Sequence, residues 1–323
     1  MAGGALAALA LLGTGCGSAN HSDAEFRVAL LTPGSIRDAG WNQSAYEGLE
    51  RIRDELGAEI AHQETHTPQD FEAGFRDFAA RGFDLVFGHG FEFQDAAAKI
   101  GSEFPHTVFV TTSGSTIRSN VAPIVFELEQ ATYVLGYLGA RLSPHAHVGA
   151  IGGVQIPSVK STFAAFSAGA HAARSNVRVS ISYIGSWEDV AAAREATLAQ
   201  MAQQTDVLIH NADAAARGFF QAVESNDRVL AFGTNRNQND LAPRSVVASA
   251  TLDIPYALLL VAKEVQSGRF QPRSIRFGLR DGVVAIAWNP ELRKRIPDDV
   301  WADTLQLLGR VRSGVVEVPR ARF

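Results

Sequence analysis

A single cysteine, Cys16, in 323 residues excludes an internal disulfide. A broad basic face is also missing. The chain has 29 Lys and Arg against 34 Asp and Glu, and its local basic clusters are short: Arg293 to Arg295, and "PRARF" at the end. At a formal net charge of -5 nothing attracts a polyphosphate backbone, which argues against nucleic acid as a partner. Catalytic signatures are absent too: there is no G-x-S-x-G elbow and no G-x-x-x-x-G-K-[ST] phosphate loop, and Cys16 lies in a tail. The glycines of "GAIGG" follow a strand pattern but lack the G-x-G-x-x-G spacing and the distal acid of a dinucleotide site. No metal set is visible around His89, because no second His, Cys or carboxylate sits at ligand spacing on its element. The sequence thus calls for no enzyme, no metal and no cofactor.

What is present is a globular composition, 46% hydrophobic and 20% charged, in a chain long enough for two domains of ordinary size. Residues 1–25 stand apart. A small apolar run, "MAGGALAALALLGTGC", leads through Cys16 into a polar linker; the run is too short to span a bilayer and fits the core of a secretory signal. Leu11 to Cys16 resembles a bacterial lipobox, whose cysteine becomes the lipid-modified first residue. Gly13 stands where a leucine is usual, and no Lys or Arg precedes the run.

From Phe26 onward, short apolar runs alternate with helical patterns. "FRVALLT" precedes a segment whose apolar positions Ala45, Leu49, Ile52 and Leu56 recur at three- and four-residue steps. The alternation repeats through "HTVFVTTSG", and a second series starts near His147, with helices expected over about 160–173, 189–203 and 214–224. Such a pattern predicts α/β architecture: two doubly wound, parallel-sheet lobes. Three connecting segments imply that the chain crosses between lobes three times. Residues 26–125 with about 250–280 form an N-terminal lobe, and about 126–249 with 281–323 a C-terminal lobe. In such sheets ligands sit beyond the carboxyl ends of the strands, so the site is the cleft between the lobes.

Several motifs in order resemble the basic membrane protein family of bacterial substrate-binding lipoproteins, which includes receptors for purine nucleosides. "RDAGWNQSAYEGL" is similar to that family's "DDKSFNQSAWEGL", "GFDLVFGHGFEFQDA" to "GYDLIIGTGFLFADA", and "VGAIGGVQIPSV" to "VGFIGGMDIPPV". "SYIGSWEDVAAAREA" and "FGTNRNQNDLAPRSVVAS" continue the likeness over nearly the whole mature chain. The resemblance implies a type I periplasmic-binding-protein fold with three hinge crossovers. It further implies an exported monomer, anchored in a bacterial membrane through lipid on Cys16, that delivers its ligand to the permease and ATPase of an importer.

The resemblance also implies that an aromatic from each lobe sandwiches a base, and the matching positions here are Trp41 and Trp187. Asn42 has the donor and acceptor that a purine edge requires, and is equally a favoured helix cap. The family's ribose-clamping groups are largely replaced, by Thr32 at the end of the first strand, by Thr234 and Asn235, and by Leu252. Asn235 can still bond one hydroxyl. Asp213, after a strand, resembles a branch of the family suited to free purine bases, where a carboxylate accepts from a ring N–H; the alternative is that it caps the next helix. Asn211 is a weaker candidate beside it. His89 and Phe91 lie in "GHGFEF" at a strand end, His89 either as a cleft group or as a hydrogen-bonded structural histidine, while Glu92 is expected in solvent. The expected ligand is a purine, free base slightly ahead of nucleoside. Its rivals are another flat heterocycle such as riboflavin, and a sensory lipoprotein not coupled to transport.

Overall fold

The computed structural model describes Met1 and residues 26–38 and 40–320. Cys16 and the rest of the expected export segment lie outside the described residues. The first sheet is built from β1 (Arg27–Thr32), β2 (Glu59–Glu64), β3 (Leu85–Gly88), β4 (Val108–Thr112) and β5 (Val121–Phe126), linked by α1 (Trp41–Leu56), α2 (Pro68–Ala80) and α3 (Gln94–Gly101). The second follows α4 (Leu128–Leu142), with β6 (His147–Gly152), β7 (Arg178–Tyr183), β8 (Val207–Asn211), β9 (Leu230–Asn235) and β10 (Val246–Leu252), linked by α5 (Pro157–Ala173), α6 (Val190–Ala202) and α7 (Ala216–Glu224). The chain then returns as α8 (Ile254–Gln266) and β11 (Ile275–Phe277), and crosses again to β12 (Val284–Trp288) and α9 (Asp298–Arg312).

The two six-stranded sheets are ordered β11-β5-β4-β3-β1-β2 and β12-β10-β9-β8-β6-β7. All pairings are parallel except β10 with β12, where Ala248 faces Trp288 and Leu252 faces Val284. The two parallel-sheet lobes are as expected, and β12 is a single antiparallel strand added at an edge. β11 leaves the first sheet at its carboxyl end, and six residues separate Phe277 from Val284. The chain accordingly enters the second sheet at the end from which β10 leaves it, and must run antiparallel to β10.

Local chemistry fixes the elements. Buried Ala45, Gly48, Leu49 and Ile52 line one face of α1, which packs on α8. α2 starts with a capping box, Thr67 and Asp70 each satisfying the other's backbone N–H, and has proline in its first turn. α4 and α5 cross with backbones nearly touching: a Cβ on Gly136 would lie 2.0 Å from the Phe166 carbonyl oxygen, and one on Gly169 would lie 1.9 Å from that of Tyr133. Among the described residues no helix is long and apolar enough to cross a membrane.

The three crossings are bonded to each other. The Glu127 N–H donates to the Phe277 carbonyl at 2.8 Å and that of Asp253 to the Val283 carbonyl at 2.7 Å. Glu127 also receives Arg276 at 2.7 Å and pairs with Arg320, while Gln130 accepts from the Leu279 N–H. The α4/α5 contact predicts that Gly136→Ala lowers the urea midpoint, with a destabilisation of about 1–3 kcal/mol from overpacking. At the exposed Gly309 of α9, which has open space around it, the same substitution should stabilise by about 0.5–1 kcal/mol. Indifference at Gly136 would show that the two helices can move apart freely.

Candidate ligand-binding cleft

Trp41 is the first residue of α1, at the carboxyl end of β1. Its loop is held by Asp38, whose carboxylate accepts from the N–H groups of Gly40 at 2.9 Å, Asn42 at 2.8 Å and Gln43 at 3.0 Å. Those are helix-start donors that would otherwise lack partners, so Asp38 takes the capping work proposed for Asn42. Asn42 itself is buried, and its side-chain oxygen has no protein partner.

The indole is backed by His89, at the end of β3. The two rings stack with centroids 4.2 Å apart and 23° between planes, and Phe126 meets the indole edge-on at 6.0 Å. His89 is fully buried. Its Nε2 lies 3.1 Å from the Trp41 carbonyl oxygen, which can only accept, so Nε2 carries the proton; Nδ1 then accepts from the Thr112 hydroxyl at 3.2 Å. Burial lowers the ring's pKa to about 3. Both nitrogens are engaged within the protein, as the alternative of a hydrogen-bonded structural histidine requires, and the ring backs Trp41. Phe91 is half-buried at the start of a short 3-10 turn, Phe91–Phe93, and Glu92 is exposed.

In the second lobe, Trp187 is half-buried on the loop between β7 and α6. Its ring lies over Gly153, where a Cβ would come within 2.4 Å of the indole. The Trp187 carbonyl accepts from the Ala215 N–H at 2.8 Å, tying this loop to the turn after β8. Asp213 opens that turn in the left-handed region, φ 48°. Helix α7 begins three residues later, capped from Ala215 without any side-chain bond, so the alternative role of Asp213 as helix cap is excluded.

The Asp213 carboxylate instead reaches the opposite lobe. Oδ1 lies 3.4 Å from the Trp41 nitrogen, a long bond from a backbone donor, and a Cβ on Gly40 would stand 2.6 Å from it. Burial raises its pKa to about 7, helped by the nearby charges of Asp38 and Glu188 and opposed by the Trp41 N–H. Deeper in the lobe, the Asn235 amide approaches the Asn211 side-chain oxygen at 3.5 Å, with Asn235 at φ 67°. Thr234 is buried with its hydroxyl unpartnered.

The fold thus brings Asp213 to the Trp41 backbone, with Asn42 next on α1, Trp187 on the loop bonded to the Asp213 turn, and Asn211 and Asn235 at the ends of β8 and β9. Sequence reasoning missed Asp38 and the pair Glu47 and Arg236, which meets across the lobes at 3.3 Å. An aspartate just ahead of a helix pattern is a capping signal that points to Asp38. No comparable local signal marks the ion pair. Among the described residues no group of three metal-binding side chains comes together.

Comparisons with known proteins agree over nearly the whole described chain. A family model described as "ABC transporter substrate-binding protein PnrA-like", Bmp, matches residues 26–321. Basic membrane protein A2 of Borrelia garinii subsp. bavariensis is 25% identical over 300 residues, covering 91% of this chain and 88% of its own. A purine-binding protein of Brucella abortus is 24% identical, covering 92% and 84%. A solute-binding protein structure from Aeropyrum pernix superposes with a TM-score of 0.82 at 19% identity, covering 92% of this chain and 94% of its own. The fold is that of type I periplasmic-binding proteins, as expected from the motifs.

The burial of His89 makes a prediction. Its folded pKa lies below the unfolded value of 6.5, so the unfolded chain binds the proton first as pH falls. Stability from the neutral ring is complete above pH 6.5 and falls away toward pH 3. Side-chain NMR should show one Nε2–H tautomer with no titration between pH 5 and 8; a midpoint inside that range would mean that the ring is solvated.

Proposed function

We propose a ligand and a mode of binding on one premise: the chain belongs to the Bmp family of PnrA-like ABC transporter substrate-binding proteins. It is a solute-binding protein of an ABC transporter, not an enzyme, and its partners are a solute and transporter components. The proposed solute is a purine, free base ahead of nucleoside, held between Trp41 and Trp187. One observation carries this reading: the Asp213 carboxylate spans the gap to the Trp41 N–H, and the turn that Asp213 opens is bonded through the Ala215 N–H to the carbonyl of Trp187. Two indoles offer flat apolar surface, and base stacking on an aromatic is worth about 1–3 kcal/mol. Asp213 supplies an acceptor for a ring N–H or exocyclic amine, and the unpartnered Asn42 oxygen supplies another. The purine-binding relative from Brucella abortus supports the same ligand class.

Preference for a base over a nucleoside rests on the positions where a ribose clamp is expected. The Thr32 hydroxyl is fully buried, donates to the Gly34 carbonyl at 2.8 Å and lies 2.9 Å from His62 Nε2. Leu252 is apolar and buried. Neither offers a sugar hydroxyl a partner. Closure about the three crossings would bury the base, as in other hinged two-lobe receptors. Export, and anchorage through Cys16 at an extracytoplasmic membrane surface, complete the proposal, in keeping with the basic membrane protein relatives.

Calorimetric titration of the refolded, ligand-stripped protein should show a purine base binding with roughly -8 to -10 kcal/mol, at least tenfold tighter than its nucleoside. Trp41→Ala and Trp187→Ala should each weaken binding of that base by about fivefold to 150-fold, the 1–3 kcal/mol of a lost stacking face. Undiminished affinity in both variants would remove the sandwich, and a response to riboflavin alone would replace the purine by another heterocycle.

Asp213 adds a proton signature. Its carboxyl is held protonated in the fold above the ordinary value of 3.8, so the stability tied to the bound proton is complete below pH 3.8 and is lost as pH rises toward 7. A ligand that donates N–H groups to it favours the carboxylate. Binding should therefore release about one proton at pH 6 and far less at pH 8, read from titrations in buffers of different ionisation enthalpy. Asp213→Asn should remove that release; a wild-type release of zero at pH 6 would show that the ligand does not donate to Asp213.

A further inference from the structure

Among the described residues, two polar contacts reach from lobe to lobe away from the crossings. One is Asp213 with the Trp41 N–H. The other lies less than two turns farther along α1, where Arg236 Nη2 stands 3.3 Å from Glu47 Oε1 and 3.5 Å from Oε2. Local structure aims both side chains. Gln43, one turn earlier on α1, donates to Glu47 Oε1 at 2.9 Å. Arg236 follows the left-handed Asn235, and its N–H donates back to the Thr234 carbonyl at 2.8 Å. Neither charge touches either cleft tryptophan in any ring or hydrogen-bond contact of the structure. Instead the pair lines a cavity of about 430 Å³ on the hinge side, together with Leu252 and Asp253 of the second crossing and Gly282 and Val283 of the third.

We infer that Glu47 and Arg236 form a latch between the lobes, favouring the closed arrangement and thereby setting the affinity for ligand without contacting it. The inference rests on the two-lobe receptor reading but not on the identity of the ligand. The physical asymmetry is between open and closed forms. Apart, both groups are solvated; together, they are about two-thirds shielded, with side-chain exposures of 31% and 39%. In this structure, with the lobes in contact at Glu47 and at Asp213, Arg236 Nη1 is buried without a partner, so Glu47 is the counter-charge that makes this burial tolerable. Removing Glu47 penalises the closed form alone, and a ligand that binds only that form loses affinity in proportion to the closed population. The contact is partly exposed, so salt screens it.

The test reads closure directly. Spin labels at exposed Ala73 on α2 and Glu195 on α6, in the full chain carrying Cys16→Ser, report the distance between lobes without ligand. Glu47→Gln and Arg236→Gln should each move population to longer distance, the exchanged pair Glu47→Arg with Arg236→Glu should bring it back, and 0.5 M salt should mimic the single variants in the parent. Purine affinity should fall about threefold to tenfold in the single variants, through faster dissociation, and recover in the exchange. Distance distributions unchanged by both single variants, or an exchange that fails to recover the parent distribution, would overturn the latch. Absence of purine binding with the distance shifts intact would overturn the ligand assignment and leave the latch standing.

Discussion

The constraint on which everything else depends is the direction of the strands. In each sheet the parallel strands deliver the chain to the same edge, and the three crossings make the two edges face one another. Loops that leave strands at their carboxyl ends must then meet across one gap, however their sequences differ. That is why Trp41, which follows β1, and Asp213, which follows β8, come within hydrogen-bond reach although 172 positions separate them. The bonds between crossings, from Glu127 to Phe277 and from Asp253 to Val283, hold this arrangement at its base.

Behind Trp41 the supporting ring carries no charge. His89 is buried as a neutral ring, with its tautomer set by the Trp41 carbonyl, and so lends the indole a flat, uncharged backing. Asp213 is held near the midpoint of its titration by burial and by neighbouring carboxylates. A group in that condition exchanges a proton at little expense when a partner arrives. An inter-lobe pair of opposite charges, Glu47 with Arg236, stands farther along α1, and in the proposed latch its effect falls on the separation of the lobes rather than on the ligand.

Much of this was legible in the sequence because it is written locally. Helical spacing located α1, and the expected helix over 160–173 runs in the structure from Pro157 to Ala173. Ordered motifs placed Trp41 and Trp187 between a strand and the next helix; Trp187 is found on such a loop, and Trp41 opens α1. What escaped was tertiary. The expected helix at 214–224 is present as a 3-10 turn over 213–215 that runs into α7, but no local pattern encodes the left-handed φ of Asp213 or its reach to the other lobe. The antiparallel β12 follows from where the chain re-enters the second sheet, and the structural role of His89 follows from Thr112 and Trp41, each far from it in sequence. Asp38 was the exception, a local signal overlooked beside the more conspicuous Trp41 and Asn42.

The interleaving of the lobes also bears on how such a chain is made. β5 waits for its edge partner β11 until about 150 further residues have been synthesised, and β10 waits for β12 until Trp288 has emerged. Neither sheet is complete while the ribosome still holds the later crossings, so the first half of the chain cannot settle as a finished unit ahead of the second. Long-range strand pairing of this kind is slow and leaves sheet edges open in the meantime. The same route that aligns two binding faces therefore lengthens the interval in which the nascent protein needs protection from its neighbours.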